Sequence, residues 1–450
     1  MTSAPLPAAV NRSETSSLFG ADTAMLRRRR AENRFRTYGV VAIAISLSVL
    51  ALMLFTIFTD GIGAFRQAKL SFPVTLDAKV LDPKGNRNPA EMTKITTVGY
   101  GKVLATSFAA ALEAKGIATG DLKDKAISEL ISKDAPGELR ARVMADPSLI
   151  GQTIDIAALA GGRIDGYLKG RVTMDSAKLD SNVSPEQLVL ADKLVQAGML
   201  GLHWNVAFLT NPDASDQRPE AAGLGVAILG SLYMMILVAV MCVPVGVAAS
   251  IYLEEFAPKN RWTDLIEVNV ANLAAVPSIV FGILGLAIFI NFAGLPQSSS
   301  IVGALVISLR TLPTVIIATR ASIRAVPPSI RDAALGVGAS KMQTVLHHVL
   351  PLAMPGILTG TILGLAVALG DTAPLLLIGM VAFVDNYPSL PVDGFFDPAT
   401  ALPVQVYSWA TRSDPAFVER SNGAIIVLLA FLVIMNVAAI LLRRKFERRW

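Results

Sequence analysis

Apolar side chains in this chain come in long unbroken runs separated by polar stretches. A helix rising about 1.5 Å per residue needs roughly 20 residues to cross about 30 Å of hydrocarbon. Six runs are long enough: 38–59, 222–252, 267–290, 300–319, 353–383 and 422–442. The pattern predicts an all-α polytopic membrane protein with about six transmembrane helices, the last five forming a core over 222–443.

The one large polar stretch, 60–221, is long enough to fold around a core of its own. Lys69–Val80 alternates like a strand, whereas 100–115, 122–133, 136–145 and 184–201 have helical spacing. A mixed α/β or mostly α insert is expected. Met199–Leu209 is apolar but too short to span. Either it is a buried core helix of the insert, or His203 and Trp204 within it lie at the membrane interface. His203 has no second ligand at helical or loop spacing and makes no metal site.

A different pattern occupies 327–351, between the fourth and fifth runs, where two short helices flank a glycine turn. Ser329 with Asp332, and Ser340 with Gln343, have the capping-box form that satisfies the open amides of a helix start. Gly336 and Gly338 suit the left-handed conformation that ends the first helix, and Leu350 before Pro351 is pushed out of helical dihedrals, closing the second. Ile330, Ala333, Ala334 and Val337 share one face of the first helix; Met342, Val345, Leu346 and Val349 share one face of the second. A polar hairpin with one apolar side calls for a partner. Its place between two spans argues against DNA reading by a helix-turn-helix.

Composition agrees with a membrane protein: 53% hydrophobic and only 17% charged, with positive mean hydropathy. The net charge of +5 would suggest nucleic acid in a soluble chain. Here the basic residues gather at span ends, where they set orientation. Residues 1–37 are Ser/Ala/Pro-rich and then basic (Arg27-Arg28-Arg29-Arg30, Arg34, Arg36), as in a disordered cytoplasmic arm. The run at 38–59 is too long for a cleaved signal peptide and ends in Asp60-Gly61-Ile62-Gly63, so it should remain as an anchor. Alternation from an inside N-terminus then puts 60–221 outside and 320–352 and the basic tail 444–450 inside. Lys259, Arg261, Arg320, Arg324, Arg331 and Lys341 fall inside, while the outer loop 291–299 has neither lysine nor arginine, as the positive-inside rule requires. Cys242 lies alone within a span, so no internal disulfide is available.

The candidate chemistry lies in the spans. The chain carries no phosphate-cradling G-x-x-x-x-G-K-[ST] loop, so any ATP hydrolysis belongs to another subunit. Arg310 sits near the middle of its run, about 14 Å from either end and beyond easy snorkelling, so it must face protein or a water-filled path. Its guanidinium either holds a passing oxyanion bidentately or ties helices together. Asp371 follows Gly370 and precedes Pro374 in a run too long for one straight crossing, so the span should kink there. Pairing with Arg310 is its first expected role, because an unpaired carboxylate at this depth is costly. Accepting the proton that phosphate carries and sulfate lacks is the second.

These residues also carry a resemblance. The hairpin, with Asp332-Ala333-Ala334, Gly338 and Val349-Leu350-Pro351, resembles the E-A-A coupling loop of permeases from ATP-driven importers, with Asp332 for Glu and His348 for Ile. Gly370-Asp371-Thr372-Ala373-Pro374-Leu375 resembles the G-E-T-A-P-L segment of the PstA-type permeases of bacterial phosphate importers. Ala275–Gly282 and Leu309-Arg310-Thr311-Leu312-Pro313 resemble the same subfamily. The resemblance implies a type I ABC importer permease in the bacterial inner membrane, non-enzymatic, with the insert periplasmic and both termini cytoplasmic. It implies Arg310, Asp371 and Thr372 at the substrate path or gate, and Asp332, Ala333, Ala334, Gly338 and Ser340 at the ATPase-docking surface. Implied partners are a second homologous permease, ATPase subunits that bind ATP and Mg, a periplasmic phosphate-binding protein and membrane lipid. This chain would hold no cofactor and bind no nucleic acid. A sulfate or molybdate permease, or a membrane-anchored phosphate sensor, are the alternatives.

Overall fold

The computed structural model describes residues 23–87, 92–380 and 383–446. The chain divides into two compact units, one ending at Thr56 and the other starting at Ile57. The first unit is the greater part of helix α1, Thr23–Gly61. Val40, Ile43, Leu47 and Phe55 are all exposed on it, the all-round apolar surface of a helix that lies in lipid. Arg27–Arg30, Arg34 and Arg36 continue the same helix, so the expected disordered arm is helical from Thr23 onward. Six arginines within ten residues of one continuous helix are compatible with helix geometry because arginine is a good helix former. Residues 1–22 lie outside the described residues.

In the second unit, the insert is mixed α/β. An antiparallel sheet of order β2-β1-β3 joins β1 (Arg66–Thr75), β2 (Thr153–Leu159) and β3 (Leu200–Trp204). Ala68, Leu70, Phe72 and Val74 point to one face of β1 and are buried, the period-2 pattern of a sheet with one wet side. Against that face packs α2 (Thr97–Ala114), which buries Tyr100, Leu104, Phe108 and Leu112 at four-residue spacing. Helices α3 (Ala135–Ala145), α4 (Gly162–Leu168) and α5 (Pro185–Gln196) complete this core. Ser184 and Gln187 close a capping box at the head of α5.

Several insert boundaries differ from expectation. The strand starts at Arg66 and stops at Thr75, because Asp77 caps a short helix, Ala78–Leu81. The helix expected over 122–133 shrinks to Asp124–Ser128. Met199–Leu209 is not the buried core helix expected as one of its two readings: Leu200–Trp204 is a strand, with His203 and Trp204 exposed, and only Ala207–Thr210 is helical. Gly198, at φ +69°, ends α5, and the backbone beyond pairs with the free edge of β1, Leu200 opposite Leu70 and Trp204 opposite Arg66.

Among the described residues, five helices are long and apolar enough to cross a membrane, or six if one bent pair counts as a single span. Helix α6 (Gly225–Ile251) extends through a wide turn to Phe256. The straight span expected over 267–290 is instead α7 (Arg261–Ala275) and α8 (Ser278–Gly285, continued to Phe292), bent by 101°. The break is at Val276-Pro277: proline lacks the N–H the helix needs and forces Val276 into extended backbone.

Helix α9 (Ser300–Arg324) packs along α6. It leads to α10 (Pro328–Gly336) and α11 (Lys341–Thr344). After a wide turn, Val345–Val349, comes α12 (Leu350–Leu369). The run of 353–383 then breaks: Gly370 and Asp371 leave the helix, and α13 (Ala373–Leu377) restarts it. Helix α14 (Leu402–Ala410) precedes the last span, α15 (Pro415–Phe446). One apolar core joins these pieces, with Met234, Val238 and Cys242 of α6, Phe281 of α8, Val306 and Val315 of α9, and Leu375 of α13. At Gly282 the approach is too close for a side chain: a Cβ would stand 2.7 Å from Pro374 Cα. Of the basic tail, Arg444 belongs to α15, and Arg448 and Arg449 lie outside the described residues.

Candidate functional site

Two of the expected path residues meet. Arg310 projects from the middle of α9 and Asp371 from the break after α12, with Arg310 Nε 2.9 Å from Asp371 Oδ2. The arginine side chain keeps 29% of its surface and the aspartate 10%. Oδ2 has no aligned hydrogen-bond donor, so the contact is ionic and the terminal nitrogens of the guanidinium are not committed to Asp371. A fork held by a carboxylate at its Nε edge keeps donors for another oxyanion. Thr372, half-buried, heads α13 without capping it. Among the described residues its hydroxyl makes no hydrogen bond, so the structure does not join it to the pair.

The hairpin 327–351 differs in three places from its expected form. Pro327 and Pro328 start α10, with Pro328 fixed at a helical φ where no N–H is needed. Ser329 is therefore inside the helix, its box with Asp332 does not form, and Asp332 is exposed. Only Gly338, at φ +91°, takes the left-handed turn; Gly336 is the last residue of α10. Ser340 and Gln343 do cap reciprocally, Ser340 N donating to Gln343 Oε1 at 2.9 Å and Gln343 N to Ser340 Oγ at 3.3 Å. Beyond them the helix does not stop at Leu350. The wide turn Val345–Val349 shifts the hydrogen-bond register just before Pro351, so the missing proline N–H interrupts no ladder there. Lys341–Leu369 is one rod of 29 residues, roughly 40 Å long.

The faces of the hairpin are also redistributed. Ala334, Val345 and Val349 are buried, while Ala333, Leu335, Val337, Met342 and Leu346 are exposed. Val337 is 86% exposed. An unfilled apolar rim thus surrounds Asp332, Gly338 and Ser340. The base of the hairpin is fixed to the end of α6: Arg331 Nη2 donates to Glu255 at 2.7 Å, and Lys341 stands 5.3 Å from the Phe256 ring. Arg324 reaches Glu254 at 2.6 Å, and Arg320 engages both Glu254 and Glu267.

One cluster escaped sequence reasoning because its members are scattered between 165 and 420. Asp165 receives Lys169 at 2.7 Å and Arg171 at 3.0 Å. Both cations also face Glu419 in the first turns of α15, Lys169 at 2.9 Å. Asp165 Oδ1 accepts from Ala68 N of β1 at 2.9 Å. The buried Arg420 donates to the carbonyl oxygens of Ala222 and Glu220. These buried charges pair across the two segments, and they clamp the insert onto α15.

Comparison with known proteins follows the same division. Residues 243–450 match the model of the binding-protein-dependent transport system inner membrane component, and 22–178 match a domain of unknown function, DUF3333. Over 229 residues the chain is 33% identical to the phosphate transport system permease protein PstA 1 of Mycobacterium tuberculosis, covering 51% of this chain and 73% of that relative. It is 32% identical to the probable ABC transporter permease protein YqgI of Bacillus subtilis, over 49% of this chain and 78% of the relative. PstA of Xylella fastidiosa matches at 31%, over 50% and 77%. Among solved structures, inward-facing MetNI methionine ABC transporter aligns with 50% of this chain and 97% of its own, at 14% identity and a TM-score of 0.40. A bacterial ABC transporter importing alginate aligns with 49% and 79%, at 15% identity and a TM-score of 0.37.

Proposed function

Because this chain belongs to the binding-protein-dependent transport-system inner membrane components, the permeases of ABC transporters, we propose that it forms half of the translocation path of an ATP-driven phosphate importer. The substrate is suggested by relatives named for phosphate transport and by one observation in the path itself. Arg310, deep in α9, is balanced by Asp371 yet keeps uncommitted guanidinium donors. A cation so placed takes an oxyanion through charge-assisted, bidentate hydrogen bonds. The nearby carboxylate accepts the proton that phosphate carries at neutral pH. The Thr372 hydroxyl, without a partner among the described residues, stands at the same break.

The hairpin then docks on the cytoplasmic ATPase. Its apolar rim of Leu335, Val337 and Met342 supplies contact area, with Asp332, Ala333, Gly338 and Ser340 at its centre and Ala334 packed beneath them. The rod Lys341–Leu369 carries displacement from the ATPase to the break at Gly370-Asp371. ATP and Mg are held by the ATPase subunits, the chain itself being non-catalytic. A second homologous permease supplies the other half of the path, and a periplasmic phosphate-binding protein delivers the anion. Both termini are cytoplasmic and the insert is periplasmic.

Phosphate uptake into proteoliposomes holding the assembled complex tests this reading. Arg310→Ala is expected to assemble but lose uptake, and Asp332→Lys to bind phosphate but lose coupling to ATP. Unchanged uptake in both would remove these site assignments. Uptake of sulfate or molybdate in place of phosphate would move the chain to the alternative oxyanion permeases, and absence of any uptake with intact anion binding would favour a sensor.

A further inference from the structure

Three apolar runs end close together, and the segment fastened between them has one buried and one exposed side. Gly61, the last residue of α1, lies against α15: a Cβ there would stand 2.7 Å from the carbonyl carbon of Asn422, where the apolar run of α15 begins. A single tight turn, Ile62–Phe65, leads from Gly61 into β1. Asn205 grips that turn, its backbone N–H donating to the Phe65 carbonyl at 2.9 Å and its side-chain amide to the Ala64 carbonyl at 3.1 Å. Three residues on, the Phe208 carbonyl accepts from Leu224 N at 2.8 Å, at the head of α6, and its ring meets that of Phe65 edge-on at 5.2 Å. The stretch that follows β3 is thus fastened to the ends of α1 and α6, beside the start of α15.

Its other side is bare and apolar. Trp204 is 72% exposed and Val206 67%, and Leu202 and Leu209 are exposed as well. Phe58 and Ile62, exposed at the end of α1, carry the lipid-facing character of that helix up to the same level. Arg66 is exposed opposite Trp204 in the sheet, with its guanidinium 5.9 Å from the indole, and among the described residues it pairs with no carboxylate. Exposed apolar side chains grouped in this way mark a contact surface.

Height above the spans identifies what covers it. Four residues of 3-10 turn at about 2 Å each set Arg66 and Trp204 roughly 8 Å beyond Gly61. The headgroup layer reaches about 5–7 Å beyond the hydrocarbon on each side, so an indole at that height lies against it. Tryptophan concentrates in this layer because its ring is apolar and its N–H is not, and a neighbouring arginine can extend to lipid phosphate.

We propose that Leu202–Leu209 rests in the headgroup layer of the bilayer on the insert's side, with Trp204 and Val206 entering it and Arg66 meeting lipid phosphate. The insert is then held at two places, by the ion pairs to α15 and by this lipid contact. The inference needs only that the spans lie in a membrane, so it stands or falls apart from the choice of transported anion.

Spin labels on the assembled complex in phosphatidylcholine nanodiscs test it, in a Cys242→Ala background. Val206→Cys carries the label. Leu47→Cys in α1 is the lipid reference, and Thr153→Cys is the aqueous one, paired with Thr75 roughly 30 Å along β1 from Arg66. The ratio of collisions with oxygen to collisions with a water-soluble nickel chelate is expected to fall between the two references at Val206. Trp204→Ala combined with Arg66→Gln, both at exposed positions, should shift the Val206 ratio towards that of Thr153. A Val206 ratio equal to that of Thr153 would overturn the proposal, as would loss of both kinds of collision, which would mean that protein covers the site. A ratio unmoved by the double variant would overturn the roles of Trp204 and Arg66. Phosphate uptake by the complex has no bearing on any of these readings, so failure of the transport assignment is told apart from failure of this one.

Discussion

Separating Arg310 from Asp371 gives an asymmetric pair of losses. Two unit charges about 4 Å apart attract by about 4 kcal/mol at an effective dielectric of about 20, and the 29% exposure of the arginine lets water take up part of that. Arg310→Ala leaves a carboxylate with 10% of its surface, no counter-charge and no aligned donor. That variant should lose about 3 kcal/mol, the low end for breaking a buried pair. Asp371→Asn leaves a guanidinium that water still reaches, and should lose about 1–2 kcal/mol. The double variant removes both charges and should recover about 2 kcal/mol relative to the sum of the singles. Unfolding of the purified chain in mixed micelles by SDS titration measures all four members of the cycle. Additivity within about 0.5 kcal/mol would refute the coupling. Uptake separates pairing from substrate contact: the double variant should regain stability while transport stays lost. Restored transport would mean that Arg310 serves only to neutralise Asp371.

Other outcomes are open to simpler assays. Gly282→Ala would set a methyl against Pro374 and should cost about 1–3 kcal/mol by overpacking, whereas Gly137→Ala, facing open space inside α3, should be neutral or mildly stabilising by thermal unfolding. Ser340→Ala removes a reciprocal cap and should cost about 1 kcal/mol locally, seen as faster amide exchange at Met342 and Gln343. Glu419→Gln leaves Lys169 and Arg171 sharing Asp165 alone and should lower the unfolding transition by about 3 kcal/mol. The raised pKa of Glu220 means the folded chain holds a proton the unfolded chain has released, so stability falls as pH rises from the ordinary glutamate value through the raised one; Glu220→Gln should flatten that slope in a pH series of unfolding curves.

The apolar runs and the charge of the loops were enough to read the spans, and the mid-span Arg310 with Asp371 was enough to suggest their pairing, because each signal is local in sequence. Five features were not legible. The bend at Pro277 sits inside an apolar run, where composition says span and only backbone geometry says break. The Ser329 box failed because Pro327-Pro328 compete for the same helix start, and the wide turn before Pro351 depends on register, which a residue list does not contain. Met199–Leu209 turned on tertiary pairing, since an exposed strand edge offered its backbone more hydrogen bonds than a helix ending at Gly198. The cluster at Asp165, Lys169, Arg171 and Glu419 joins positions about 250 residues apart and was invisible for that reason.

The clamp between the insert and α15 has a practical consequence. A lever arm of folded protein, anchored at the mouth of the last span, converts small tilts of that span into larger sweeps at its outer rim. A fluorophore on the exposed edge of β2, at Thr153 or Asp155, would therefore report tilting of that span from a position outside the clamp itself.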